Sequence, residues 1–237
     1  MLDDAEAVAA YVAALVLDAV VREPELVLGV ATGATPLPVY RALARGSGDF
    51  SRVRVVALDE YVGLPAGHRG SYTEYVSQEI AYPLGIHPGN VVMPWGSGAE
   101  LERRITELDG VDLQLLGIGR NGHLAFNEPG SPLDSRTRVV ELTESTRAAN
   151  AAYVDPVPTH AVTQGLGTIL DARELVLLAT GTVKARAVSA ALTGAVTPDC
   201  PASVVQRHPR VTVVLDAAAA SMMAPWQTSS GWSARAW

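Results

Sequence analysis

Five short apolar runs, each rich in β-branched residues and each closed by Gly, Asp or Pro, constrain this chain more than any other feature; they lie at 26–31, 53–58, 111–118, 175–179 and 211–215. Runs of that length and character read as buried strands. Helical stretches around 36–44, 71–80, 99–108, 183–192 and 202–207 separate them, so strand and helix alternate along the chain. Ahead of the first strand, Ala5, Val8, Val12, Leu15 and Ala19 recur at helical spacing, and Pro24 lies just past the end of that amphipathic helix. The expected architecture is α/β: one domain over residues 1–224, built on a mainly parallel, Rossmann-like β-sheet with helices on both faces. Residues 225–237, rich in Ser and Trp and without periodicity, are expected to form a mobile tail.

Composition removes several classes of function. With 48% apolar residues, 237 residues suffice for one substantial core. A net charge of −7 and no Lys/Arg run argue against a nucleic-acid partner. Cys200 is the only cysteine, which suits a reducing compartment, and the N-terminus carries Asp3, Asp4 and Glu6 in place of a basic leader. No stretch of about 18 residues is apolar and uncharged, so no membrane span is expected and the cytoplasm is the expected location. His68, His87, His160 and His208 show no ligand spacing, and neither a metal nor another cofactor is expected. Ser71 and Ser203 lack a GxSxG context. Nothing in the sequence separates a monomer from a homo-oligomer.

In parallel α/β sheets ligands lie outside the carboxyl ends of the strands, so the loops there carry the chemistry. Thr32-Gly33-Ala34-Thr35 follows the first strand, and Pro36 opens a helix whose free amides and dipole suit a phosphate. An ordinary capped strand–turn–helix joint explains that segment equally well. Asp59 and Glu60 follow the second strand, where partial desolvation would raise a carboxyl toward the pKa of a useful base; a solvated acidic turn or a helix cap is the alternative. After the third strand, Gly117, Gly119 and Gly122 punctuate a loop bearing Asn121, His123, Asn127 and Glu128, in which a histidine aimed into a cleft would shuttle protons. Lys184 stands in the first turn after the fourth strand, opposing the helix dipole unless an anion sits there or the side chain simply faces solvent.

In order and wording the segments ATGATP, LDEYVGLP, LGIGRNGHLAFNEP with SRTR after it, and TGTVKA resemble the glucosamine-6-phosphate deaminase family over about residues 26–220. The resemblance implies an amino-sugar phosphate as small-molecule substrate. It implies Asp59 as the base that moves a proton between C2 and C1, and His123 as the acid/base that opens the pyranose ring. Glu128 and Asn121 then support His123, while Thr35 and Lys184 lie where the family holds the phosphate. Several positions depart from the family pattern. Ala151, Ala152 and Tyr153 stand where an arginine commonly reaches the phosphate, and Val139-Val140-Glu141 replaces a lysine of the activator site, so allosteric activation is not expected. The short strand that usually precedes the first helix is expected to be missing, and the tail replaces a further terminal helix. Two rivals are a 6-phosphogluconolactonase-like hydrolase on a similar fold and a non-catalytic sugar-phosphate sensor. The run Phe126-Asn127-Glu128-Pro129 favours the deaminase over the first, and the lack of a basic helix-turn-helix before Leu26 disfavours the second.

Overall fold

Each of the five apolar runs forms a strand. The computed structural model describes residues 1–223, and the expected tail at 225–237 lies outside them. In chain order the elements are α1 (Ala5–Arg22), β1 (Val27–Val30), α2 (Leu37–Arg45), β2 (Arg54–Ala57), β3 (Asp59–Tyr61), α3 (Tyr72–Val76), β4 (Val91–Val92) and α4 (Ala99–Glu107). They continue with β5 (Leu113–Gly117), β6 (Arg138–Glu141), α5 (Glu144–Asn150), β7 (His160–Thr163), α6 (Leu166–Leu170), β8 (Glu174–Ala179), α7 (Ala185–Thr193) and β9 (Val211–Leu215). The main sheet has six strands in the order β4-β2-β1-β5-β8-β9, and every pairing in it is parallel.

Successive side chains of a strand point to opposite faces, and here each face has its own core. Leu28, Val30, Val55, Leu115, Val176 and Leu178 pack under α1, α2 and the α3 region. Val27, Val56, Leu116, Leu175 and Leu177 pack on the other side, against Leu101, Ile169, Val188 and Val204. Burial on both faces explains why the strands read as unbroken apolar runs. At the middle of the sheet, Gly29 lies opposite Gln114, and a Cβ on Gly29 would come within 2.0 Å of the Gln114 Oε1. The amide of Gln114 fills the space that a side chain on β1 would take.

Two features depart from the sequence expectation. A second, antiparallel sheet in the order β3-β7-β6 stands apart from the main one, so the Asp59 segment is a strand and not a free loop. The expected helix at 202–207 is a 3₁₀ helix, Pro201–Arg207, tightened where Ser203 Oγ accepts from Thr197 N and donates to Thr197 O. In line with the sequence expectation, no strand precedes α1, and the N-terminus makes only an isolated bridge. Leu2 N donates to Leu215 O and Leu2 O accepts from Ala217 N, a parallel bridge along the open edge of β9. One residue pair is too short to leave a periodicity, and the unpaired edge supplies the partner.

Candidate active site

β2 ends at Ala57 and the chain passes from the main sheet into the small one within two residues. Leu58 O accepts from Gln164 N at 2.7 Å, and Asp59 pairs with Thr163 across the β3–β7 ladder. Asp59 is only 5% exposed, and among the described residues its carboxylate accepts no hydrogen bond. Burial, and after it the charge of Glu60, pushes its pKa up to about 8. Glu60 faces the other way along the strand and is 2% exposed, yet it is fully employed. Its oxygens accept from Tyr61 N, Tyr72 N, Thr73 N and the Thr73 hydroxyl, capping the start of α3. One acid is thus left unpaired and the other is consumed by the backbone.

The glycine-rich loop after β5 holds His123. Gly119 packs directly under its ring: a Cβ there would lie 2.3 Å from the Nδ1. Gly122 takes a φ of +84°, which glycine adopts without strain. Asn121 links the loop, its Nδ2 donating to Glu128 Oε2 at 2.6 Å while its Oδ1 accepts from His123 N at 3.3 Å. Glu128 also accepts from the Thr146 hydroxyl of α5. His123 Nδ1 lies 3.8 Å from Glu128 Oε2, an ion-pair separation and longer than a hydrogen bond, and that nitrogen is buried without a hydrogen-bond partner. Burial opposes ionisation of Glu128, but the imidazole, Thr146 and Asn121 outweigh it and hold the carboxyl at about 2.

The small sheet joins these two parts. Phe126 N donates to the Thr163 hydroxyl at 3.2 Å, so the residue paired with Asp59 also anchors the histidine loop. Asn127 Nδ2 donates to Gln164 O at 2.7 Å, and Gln164 Nε2 donates to Ala57 O at 3.0 Å. Arg138 Nη1 completes Asn127 by donating to its Oδ1. Tyr72 stacks on Phe126, with ring centroids 5.9 Å apart and planes 13° apart, and its hydroxyl lies 3.4 Å from that of Tyr61. Burial and then the nearby Asp59 carboxylate hold the Tyr72 phenol well above its usual pKa.

Thr32, Gly33, Ala34 and Thr35 lead from β1 into α2, with Pro36 at the cap. Gly33 has a φ of +103° with open space where a Cβ would stand, and its carbonyl accepts from the Tyr75 hydroxyl at 2.9 Å. Lys184 caps α7, and its Nζ donates to Ile118 O at 2.7 Å, across from β8 to the end of β5. Asp59 was legible as a carboxylate at a strand end, and His123 as a histidine among glycines. Sequence reasoning missed Tyr72, Thr146, Thr163 and Gln164, which carry no spacing signal and act through contacts between remote segments. Among the described residues no three His, Cys, Asp or Glu side chains cluster closely enough to hold a metal ion, and no helix is long and apolar enough to cross a membrane.

The parallel α/β fold thus carries, at the carboxyl edge of its main sheet, a buried carboxyl that accepts no hydrogen bond among the described residues and a histidine–glutamate pair, groups of the kind that can transfer protons. The family model described as glucosamine-6-phosphate isomerases/6-phosphogluconolactonase matches residues 3–214, and the chain belongs to that family. It is 53% identical to a glucosamine-6-phosphate deaminase of Arthrobacter sp. (strain FB24), covering 85% of this chain and 83% of that one. It is 48% identical to a glucosamine-6-phosphate deaminase of Streptomyces avermitilis, covering 94% and 91%. Among solved structures, a monomeric glucosamine-6-phosphate deaminase superposes with a TM-score of 0.89 at 39% identity, covering 93% of this chain and 97% of that one. A 6-phosphogluconolactonase from Trypanosoma cruzi shares the fold, with a TM-score of 0.76 at 19% identity over 93% of this chain and 94% of that one.

Proposed function

We propose that this chain deaminates glucosamine 6-phosphate to fructose 6-phosphate and ammonia. The observation that carries the chemistry is Asp59, a carboxyl with no hydrogen-bond partner among the described residues and a pKa raised to about 8, fixed through Thr163 to the loop of His123. A base in that range both accepts and returns a proton near neutral pH, as an aldose–ketose isomerisation demands. Names shared by relatives about half identical to the chain support the substrate.

Ring opening comes first: His123 takes the proton of the C1 hydroxyl and delivers it to the ring oxygen, with Glu128 stabilising the imidazolium between the two transfers. Asp59 then removes the C2 proton of the open aldehyde and returns it to C1, while a second proton passes from the C2 amine to the C1 oxygen, leaving an imine at C2 and a hydroxyl at C1. Water adds to that carbon and ammonia departs, which gives the ketone. Lys184 and the Thr32–Thr35 segment hold the phosphate, and binding through that remote end places C2 against Asp59. No step needs a cofactor. We place the enzyme in the cytoplasm, to which its single cysteine is suited.

Incubation with glucosamine 6-phosphate should release ammonia and fructose 6-phosphate in equal amounts, whereas free glucosamine should turn over very poorly. The 6-phosphogluconolactone should not be hydrolysed above its spontaneous rate. Lactone hydrolysis without ammonia release would replace this activity with that of the other branch of the family.

A further inference from the structure

Lys184 is half-buried, and among the described residues the one acceptor its ammonium reaches is a backbone carbonyl, Ile118 O. Two residues further along the same loop stands Arg120, exposed, without a hydrogen bond or a carboxylate within 4.0 Å among the described residues. Two cations brought to one loop without a counter-ion repel each other, and one of them has also given up part of its hydration. Burial, and after it the charge of Arg120, lowers the pKa of Lys184, so the two lie within electrostatic reach. The strand order β1-β5-β8 sets their loops beside the Thr32–Thr35 segment, where the backbone at Gly33 is open.

We infer that Arg120 is a second anchor for the substrate phosphate, acting with Lys184 and the start of α2 to select a dianionic phosphate monoester. This rests on the activity proposed above. A guanidinium offers a planar fork of N–H donors matched to phosphate oxygens, while Lys184 retains two ammonium hydrogens for the same group. The anion removes the repulsion between the cations, and its dianionic form gains most from both. Sugars without the phosphate leave the two cations without a counter-ion.

Steady-state kinetics with glucosamine 6-phosphate, competitive inhibition by inorganic phosphate, and calorimetric titration with inorganic phosphate test this on four proteins: wild type, Arg120→Ala, Arg120→Lys and Arg45→Ala. Arg45 is exposed at the far end of α2 and controls for net charge alone. Arg120→Ala should raise both KM and the phosphate inhibition constant about tenfold or more, with kcat within about threefold, the pattern of lost uniform binding. Arg120→Lys should fall between, and Arg45→Ala should match wild type. Equal constants, within about twofold, in Arg120→Ala and wild type would overturn the assignment. If wild type fails to deaminate glucosamine 6-phosphate, the proposed activity falls, and the calorimetry still decides on Arg120. Phosphate bound by wild type and lost in Arg120→Ala supports the anchor, whereas equal binding, or none by wild type, refutes it.

Discussion

The strand that carries Asp59 and the loop that carries Glu128 each bring a carboxyl to the site, and they hold it in opposite states. Asp59 is buried on β3 with no donor to receive, and its pKa rises to about 8; Glu128 is also largely buried but takes Asn121 and Thr146 and faces His123, and its pKa falls to about 2. Burial acts in the same direction on both. What separates them is the presence of donors, which the strand denies to Asp59 because its neighbour Glu60 collects the amides of α3. An acid kept near neutrality suits a group that must gain and lose a proton. A permanent anion suits a group that must steady an imidazolium.

Replacing Asp59 tests the comparison most severely. Asp59→Asn keeps the shape and removes basicity, so kcat should fall about a hundredfold or more while substrate binding persists. In deuterated water, wild type should exchange a C1 hydrogen of fructose 6-phosphate, and the variant should not. Stability should move the other way. The unfolded carboxyl ionises near 3.8 and the folded one near 8, so between these values the folded state holds the extra proton and the carboxyl lowers stability as pH rises. Asp59→Asn should therefore melt at a higher temperature than wild type at pH 8, with the gap closing as pH falls toward 4. An unchanged melting difference across that window would contradict the raised pKa.

Glu128→Gln should slow turnover of the closed-ring substrate about tenfold and leave C1 exchange on the ketose much less affected. Its stability signature is the reverse of that for Asp59. A carboxyl lowered from 4.5 to about 2 stabilises the fold above the upper value and loses that contribution as pH falls toward the lower one. Acid denaturation curves should show wild type losing stability over that range more steeply than Glu128→Gln. Parallel curves would mean that Glu128 is not held as an anion.

The smallest effect sharpens the contrast between neighbouring acids. Glu60 is the second cause of the raised Asp59 pKa, so Glu60→Gln should shift the acid limb of kcat/KM downward by less than about one pH unit. It should also destabilise by about 1–3 kcal/mol, because an amide cannot replace every bond that Glu60 accepts. Loss of C1 exchange in Glu60→Gln, with Asp59→Asn unaffected, would transfer the base to the neighbouring residue.

The sequence by itself determined the parallel sheet, because strands buried on both faces must be continuously apolar, and it put the four loops along one edge, because parallel strands share the side on which their carboxyl ends lie. Asp59, His123 and Lys184 were placed by the same reasoning: each lies in the segment that follows a strand of the main sheet, after Ala57, Gly117 and Ala179 respectively. The small sheet was not legible. Its strands Asp59–Tyr61, Arg138–Glu141 and His160–Thr163 are short and far apart, and β6 is only partly buried, so local composition carries little trace of the pairing. The bridge of Leu2 to the β9 edge was hidden by its length. Only the tertiary structure decided that Thr163 joins the Asp59 strand to the histidine loop, that Glu60 is consumed by α3, and that Lys184 reaches the loop that carries Arg120. A charge state depends on which donors and charges lie within a few ångströms, and that distance is set by folding, not by position along the chain.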